Sequence, residues 1–169
     1  MSYLSYRYRN NKKQSALKHL VSVNIFISYY YNFHIWKLIN ITGVDLNLQF
    51  PAGWEQAKAI KYAQGFTTPA PRDFVGSAPL SAPESLAIYR FTLSHNFRLV
   101  LAYHTQGAVI FWQFQNYTPP ESEAIALRFS NSSGYALEDT PFNSSFAGYK
   151  DWFIQNYQRP GFTIEAGLR

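Results

Sequence analysis

The chain has 169 residues, of which 47% are apolar and 18% aromatic, so it can bury the core of one domain. It has no cysteine, which excludes disulfides and thiolate metal sites and leaves His, Asp and Glu to hold any metal. The net charge of +5 is uneven, because residues 1–44 hold six basic and no acidic side chains, whereas residues 45–169 hold nine basic and ten acidic ones. Since the main body is near neutral, we expect no nucleic-acid partner.

We interpret residues 1–35 as an aberrant basic, aromatic-rich arm, followed by a domain that spans residues 36–169. The first 40 residues contain no proline, no glycine and no sustained helical or alternating period. Residues 20–31 are apolar, but a membrane span needs about 20 apolar residues, so we expect no span. The arm also lacks the small-residue cleavage site of a signal peptide. These features do not assign the chain to a compartment.

The first ordinary element of the domain is predicted around Gly43-Val-Asp-Leu-Asn-Leu-Gln-Phe50. Its apolar and polar side chains alternate, as in a strand that leaves the core, and Pro51-Ala-Gly53 ends it. Residues 65–79 are rich in Pro, Thr and Gly, a composition that predicts a surface loop.

Three helices are predicted in the remainder of the domain. Ser81-Ala-Pro-Glu84 has the pattern of a capping box and predicts a helix that ends near Asn96. Thr118-Pro-Pro-Glu121 repeats that pattern and predicts a second helix, with Gly134 as its stop. A third, short helix is predicted over Asp151–Tyr157.

Two strands with polar ends alternate with these helices. Leu99-Val-Leu-Ala102 is the run of a strand covered on both faces, and His104 lies just past it. Gly161-Phe-Thr-Ile-Glu165 is a second strand, with an acid at its carboxyl end. The alternation predicts an α/β fold with a partial mixed, largely parallel sheet flanked by helices. Because ligands bind at the carboxyl ends of such strands, His104 is a functional candidate; a hydrogen-bonded core histidine is the alternative.

Three ordered segments resemble the zinc carboxypeptidase family, the carboxypeptidase A-like metallopeptidases: Gly43-Val-Asp-Leu-Asn47, Tyr103-His-Thr-Gln106 and Phe162-Thr-Ile-Glu165. Within that family, Asp45–Trp54 and Asn143–Trp152 are most similar to bacterial peptidases that cut the γ-D-glutamyl-diaminopimelate bond of cell-wall peptides. The resemblance covers about residues 36–169, and it implies a peptide or peptidoglycan stem-peptide substrate.

The resemblance also implies a mechanism and the residues that carry it. In this family a zinc ion held by two histidines and one carboxylate activates water, and a glutamate accepts its proton and passes it to the leaving amine. His104 matches the third zinc ligand, and Glu165 matches the glutamate base. Asn47, Leu48 and Gln106 are the candidate substrate-binding residues. The carboxypeptidase A pattern has an arginine where this chain has Leu48, which favours the cell-wall subgroup.

The chain departs from the family pattern in other places. It has no His-x-x-Glu motif, which carries the first two zinc ligands, and it stops four residues after Glu165, where the family continues with a helix. The tyrosine that the family places before a glycine turn has Phe142 and Asn143 as its nearest matches, with Tyr149 after the turn. We therefore expect a copy truncated at both ends, inactive or impaired as a peptidase.

The alternative function is a non-catalytic peptide- or peptidoglycan-binding remnant that keeps part of the substrate cleft. Trp54, Trp112 and Trp152 are candidate contacts for such a remnant. Burial in the core is the more common role of such large rings.

Overall fold

The computed structural model describes residues 40–167. The predicted arm, residues 1–35, lies outside that range, so its boundary near Trp36 stays a prediction. The described part contains α1 (Trp54–Ala63), α2 (Pro83–Leu93), β1 (Val100–His104), β2 (Val109–Phe111), α3 (Ser122–Ser133), β3 (Ala136–Glu138), α4 (Tyr149–Tyr157) and β4 (Gly161–Glu165). Short 3-10 turns lie at Leu46–Leu48, Gln115–Tyr117 and Phe142–Ser144.

The four described strands form one mixed sheet in the order β1-β4-β2-β3. Strand β1 is parallel to β4, β2 is parallel to β3, and β2 runs antiparallel to β4. In the register of β1 and β4, Val100 lies opposite Gly161 and His104 lies opposite Glu165. The predicted α/β fold is confirmed, and the carboxyl ends of β1 and β4 meet at one edge of the sheet.

The sheet separates two hydrophobic cores. Val100 and Ala102 of β1 belong to the larger core, together with the Trp152–Ile154 segment of α4. Phe162 and Ile164 of β4 belong to the second core, which contacts α3. Because neighbouring strand residues point to opposite faces, both faces of β4 are covered. The expectation of full cover is wrong for β1, because one face is buried at Val100 and Ala102 but Tyr103, on the other, is 37% exposed.

The predicted strand over residues 43–50 is wrong, because this segment contains a 3-10 turn at Leu46–Leu48. The Asp45 carboxylate accepts hydrogen bonds from the backbone N–H groups of Asn47 and Asp73, both at 3.1 Å. The Gln49 side chain is fully buried and bonds the loop at Val75 and Ala82. The alternation of apolar and polar residues in this segment therefore reflects polar side chains that point inward and hydrogen-bond backbone groups, not a strand.

Both predicted capping boxes are also wrong, although both helices exist. Helix α2 has Ala82 as its N-cap and Pro83 as its first residue, and the Ser81 hydroxyl donates to Gln49 Oε1 at 3.0 Å instead. At α3 the Thr118 hydroxyl accepts from the backbone of Phe114, outside the helix. Ser81 thus has a partner distant in sequence, and Thr118 bonds the turn before the helix instead of the helix itself.

The helix ends agree better with the sequence. Gly134 closes α3 with φ of 75°, a left-handed conformation that glycine adopts without a steric cost. Helix α2 ends at Leu93, three residues before the predicted end, and α4 begins at Tyr149, two residues before the predicted start. Within the described residues, no helix is long and apolar enough to cross a membrane.

Candidate active site

His104 and Glu165 are the last residues of two neighbouring parallel strands, and their side chains lie side by side. The His104 Nδ1 atom is 3.7 Å from Glu165 Oε1, and the two side chains are 10% and 21% exposed. The backbone continues this pairing, because Ala166 N–H donates to the His104 carbonyl at 2.8 Å. The structure thus brings together the two residues that the sequence placed at separate strand ends.

Burial controls the charge of both groups. It lowers the pKa of His104 to about 4, and this effect outweighs the opposing charge of Asp151, while the smaller effect of Lys150 adds to the lowering. It also raises the pKa of Glu165 above its ordinary value. At neutral pH the imidazole is therefore neutral, the form that binds metal ions, and its contact with Glu165 is a polar contact rather than an ion pair.

A buried ion pair lies next to this site at the start of α4. The Lys150 ammonium is 2.6 Å from Asp151 Oδ1 and donates to the Gln113 carbonyl at 2.6 Å, and both side chains are 4% exposed. Asp151 also accepts from the Gly148 N–H at 3.1 Å. The pair joins α4 to the segment after β2. Sequence reasoning missed it, because adjacent Lys and Asp residues at a helix start normally point to solvent.

Asn47 links the 3-10 turn to the same end of α4. Its side-chain carbonyl accepts from the Tyr149 backbone N–H at 3.3 Å, across 102 residues of sequence. Helix α4 packs against both β1 and β4, the strands that carry His104 and Glu165. The hydrogen bond from the Tyr149 backbone thus fixes Asn47 to the helix that packs on the strands of His104 and Glu165.

Gln106 lies in the turn that follows β1, and its side chain is exposed. The peptide bond between Thr105 and Gln106 is cis. The next residue, Gly107, donates its N–H to the Gly167 carbonyl at 3.1 Å, and a Cβ at Gly107 would come within 3.5 Å of Glu165 Cβ. The turn that carries Gln106 therefore packs directly against the Glu165 strand end.

Two other candidates point away from solvent. Leu48 is 7% exposed and belongs to the larger core, so the structure does not place it with the exposed Gln106. Tyr149 is fully buried, and its hydroxyl lies 3.0 Å from the Thr92 hydroxyl. Burial raises the pKa of Tyr149 to about 12. Its phenol is therefore a core group and not a replacement for the family's substrate-facing tyrosine.

The tryptophans follow the more common role of large rings. Trp54 and Trp152 are buried in the larger core, and Trp112 is half-buried against the second core. The exposed ring nearest the expected tyrosine position is Phe142, which is 65% exposed.

The described residues do not supply a full zinc site. No group of three His, Asp, Glu or Cys side chains able to hold a metal ion occurs among residues 40–167. A catalytic zinc needs about three protein ligands, and His104 and the neighbouring Glu165 are two groups at most. The donor set in this range therefore fits one part of such a site and not the whole.

The sequence as a whole matches one protein family. A profile of the zinc carboxypeptidase family, Peptidase M14, matches residues 3–167. The gamma-D-glutamyl-L-diamino acid endopeptidase 1 of Lysinibacillus sphaericus is 54% identical over 136 residues, which cover 80% of this chain and 33% of that protein. The uncharacterized protein YqgT of Bacillus subtilis strain 168 is 43% identical over 136 residues, 80% of this chain and 35% of that protein. The chain thus spans about a third of the length of these relatives.

Solved structures agree on the fold. The carboxypeptidase A of Helicoverpa armigera superposes with a TM-score of 0.58 at 20% identity, over 76% of this chain and 34% of that one. The murein-tripeptide amidase MpaA of Escherichia coli O157 gives a TM-score of 0.53 at 17% identity, over 75% of this chain and 51% of that one. The profile match over nearly the whole sequence and this shared fold lead to one conclusion: the chain belongs to the zinc carboxypeptidase family.

Proposed function

We propose that residues 36–169 are the C-terminal part of the catalytic domain of a zinc-dependent peptidase that hydrolyses cell-wall peptides. In this proposal His104 is one zinc ligand and Glu165 is the general base. The observation that carries it is the 3.7 Å approach of these two side chains at the carboxyl edge of two parallel strands. Ligands and catalytic groups collect at that edge in α/β sheets.

The protonation states of the two residues suit those roles. A neutral His104 offers a ring nitrogen lone pair without first losing a proton. Burial moves the pKa of Glu165 towards neutral pH. A group whose pKa lies nearer the working pH can both accept a proton and return it to a leaving amine. When bound, zinc would supply Lewis-acid polarisation and a more acidic water.

The substrate class is proposed from the chain's similarity and from its polar groups. The relative from Lysinibacillus sphaericus is a gamma-D-glutamyl-L-diamino acid endopeptidase by name. In this chain Asn47 is fixed near the start of α4, and Gln106 is exposed in the turn beside Glu165. We assign both to substrate binding. Leu48 offers no guanidinium to grip a free terminal carboxylate, so the proposed substrate is an internal γ-D-glutamyl-diamino acid bond.

The sequence favours a second candidate for the 169-residue chain by itself. It contains no His-x-x-Glu segment, which in this family provides two of the three zinc ligands. Under this alternative the chain binds peptide or peptidoglycan through Asn47 and Gln106 but does not cleave it. The two candidates share one substrate and differ in zinc content and turnover.

A chimera tests the proposed function. The His-x-x-Glu segment of a related peptidase is placed ahead of Trp36, and the family's C-terminal helix is added after Arg169. We expect this chimera to hydrolyse a γ-D-glutamyl-diaminopimelate peptide in preference to a C-terminal aromatic dipeptide. Hydrolysis is followed by release of the free amine.

The control variants separate the base from general damage. Glu165→Gln should keep the fold but lower the hydrolysis rate by at least about a hundredfold, since general-base catalysis is typically worth 10² to 10⁴. Glu138→Gln, at the exposed end of β3, should change the rate by less than about twofold. Full activity in Glu165→Gln would remove Glu165 as the base, and a preference for the aromatic dipeptide would remove the cell-wall assignment.

A further inference from the structure

A second concave site lies at the edge of the sheet opposite His104 and Glu165. It is a cavity of about 440 Å³, a size typical of small-molecule sites. Arg98 and Leu99 precede β1, Arg159 and Pro160 precede β4, and all four line the cavity. Since Arg98 lies six residues before His104, the two sites are about 20 Å apart along the strand.

The lining of the cavity combines apolar side chains with two guanidiniums. Leu99, Ile125 and Pro160 are the apolar residues of the lining, while Arg98 and Arg159 provide two positive charges. Glu121, at the start of α3, is the one carboxylate in the lining. The cavity therefore carries a net positive charge beside apolar side chains.

Arg159 is held rigidly. Its Nη1 atom donates to Asn96 Oδ1 and to the Phe97 carbonyl, both at 2.6 Å, and its guanidinium lies 6.0 Å from the Tyr157 ring centre. These contacts occupy one nitrogen and leave Nη2 and Nε without an acceptor among residues 40–167. A guanidinium fixed in this way loses little side-chain entropy when it binds a ligand.

Neither guanidinium has an acidic partner in the described part of the chain. The ion pairs found in residues 40–167 do not include Arg98 or Arg159, although two like charges share one cavity. Residues 1–39 cannot supply an acidic side chain, because they contain no Asp or Glu. A bound carboxylate would add to the charge of Glu121 in offsetting the two guanidiniums.

We propose that this cavity binds a short peptide with a free carboxylate and small apolar side chains, at a site separate from the His104–Glu165 edge. The carboxylate would accept hydrogen bonds from both Arg98 and Arg159, since the planar guanidinium is suited to carboxylate oxygens. The apolar side chains would cover Leu99, Ile125 and Pro160. This proposal does not depend on peptidase activity.

The test uses the full 169-residue chain and needs no metal. Acetyl-Ala-Ala, acetyl-Ala-Ala-amide and inorganic phosphate are titrated separately, and backbone amide shifts are followed by NMR. We expect acetyl-Ala-Ala to shift Leu99 and Ile125 but not His104, to bind at least about tenfold more tightly than its amide, and to weaken as salt is raised.

Variants assign the contact to named side chains. Arg98→Ala, at an exposed position, should weaken acetyl-Ala-Ala binding about tenfold, and Glu121→Gln should strengthen it by removing the opposing charge. Arg128→Ala removes an exposed arginine of α3 that does not line the cavity, and it should leave binding unchanged.

Four results would overturn the proposal: equal binding of acid and amide, unchanged binding in Arg98→Ala, shifts centred on His104, or phosphate binding as tight as the peptide. The third would move the ligand to the candidate active site. The fourth would reduce the cavity to a general anion site.

Discussion

The buried pair between Lys61 and Asp73 gives the sharpest stability prediction, because the same carboxylate also has an exposed partner. Lys61 Nζ lies 2.6 Å from Asp73 Oδ1, and the two side chains are 7% and 12% exposed. Arg72 bonds the other oxygen, but its own side chain is 76% exposed. Replacing Lys61 by Met keeps the apolar stem but leaves the carboxylate with only its exposed partner.

Removing one member of a buried pair costs about 3–5 kcal/mol, whereas exposed pairs contribute about 0–1 kcal/mol. Because Arg72 still offsets part of the Asp73 charge, we expect Lys61→Met to lower the free energy of unfolding by about 3 kcal/mol. That loss corresponds to a fall in Tm of about 6–12 °C. Arg72→Ala should lose less than about 1 kcal/mol. Urea unfolding at pH 7 measures both.

The pH dependence of this difference checks its electrostatic origin. Burial raises the pKa of Asp73, but hydrogen bonds and charge from Lys61 and Arg72 outweigh burial and hold the pKa below its ordinary value. A lowered pKa in the folded state gives stability that is present above the unfolded pKa and is lost as pH falls through the folded one. The gap between parent and Lys61→Met should therefore shrink below about pH 4. Equal losses in Lys61→Met and Arg72→Ala would refute the reasoning.

Three further predictions concern single positions. Burial raises the pKa of Asp45 to about 6, so the free energy of unfolding should rise as pH falls from 7 towards 4. This gain should be absent in Asp45→Asn and kept in the exposed control Asp139→Asn. An unchanged gain in Asp45→Asn would contradict the prediction. Gly134→Ala should lose about 1 kcal/mol in urea unfolding because φ there is 75°, and no loss would contradict the left-handed cap. Phe162→Ala should lose about 3–5 kcal/mol, against less than about 1 kcal/mol for the half-exposed Leu127→Ala, and similar losses would contradict the position of the second core.

The sequence predicted the two strands of the candidate site and the residues at their ends. Apolar runs before His104 and Glu165 define buried strands, and the ends of such strands are where ligands bind. That the two strands are neighbours could not be read from periodicity, because pairing over 61 residues is decided by tertiary packing. The proposed roles of His104 and Glu165 come from the resemblance to the family, whereas the contact between their side chains is known from the structure.

The misread segments have a common physical cause. The Asp45 and Gln49 side chains bond distant backbone groups instead of facing water. The Ser81 hydroxyl bonds the Gln49 side chain instead of capping a helix. Local patterns assume that a polar side chain is exposed or bonds its neighbours, so they fail at these positions. Helix α1 was missed for a related reason, because Lys61 occupies a buried position on its core-facing side.

The buried pair of Lys150 and Asp151 shows the same limit inside the candidate site. No sequence pattern separates these residues from an ordinary charged helix start, yet the fold buries both and places their charges near His104. Strands β2 and β3 were missed because each has only three residues. Such short segments carry too little periodicity to predict.

Zinc stoichiometry tests the central claim most directly, because the claim makes His104 one ligand of a site that the 169-residue chain does not complete. Elemental analysis after dialysis should find no tight zinc in that chain and one zinc per chain in the chimera. His104→Ala in the chimera should lose the metal, whereas His95→Ala, at the exposed histidine after α2, should keep it. One tight zinc in the unmodified chain, or an undiminished zinc content in the His104→Ala chimera, would contradict the account.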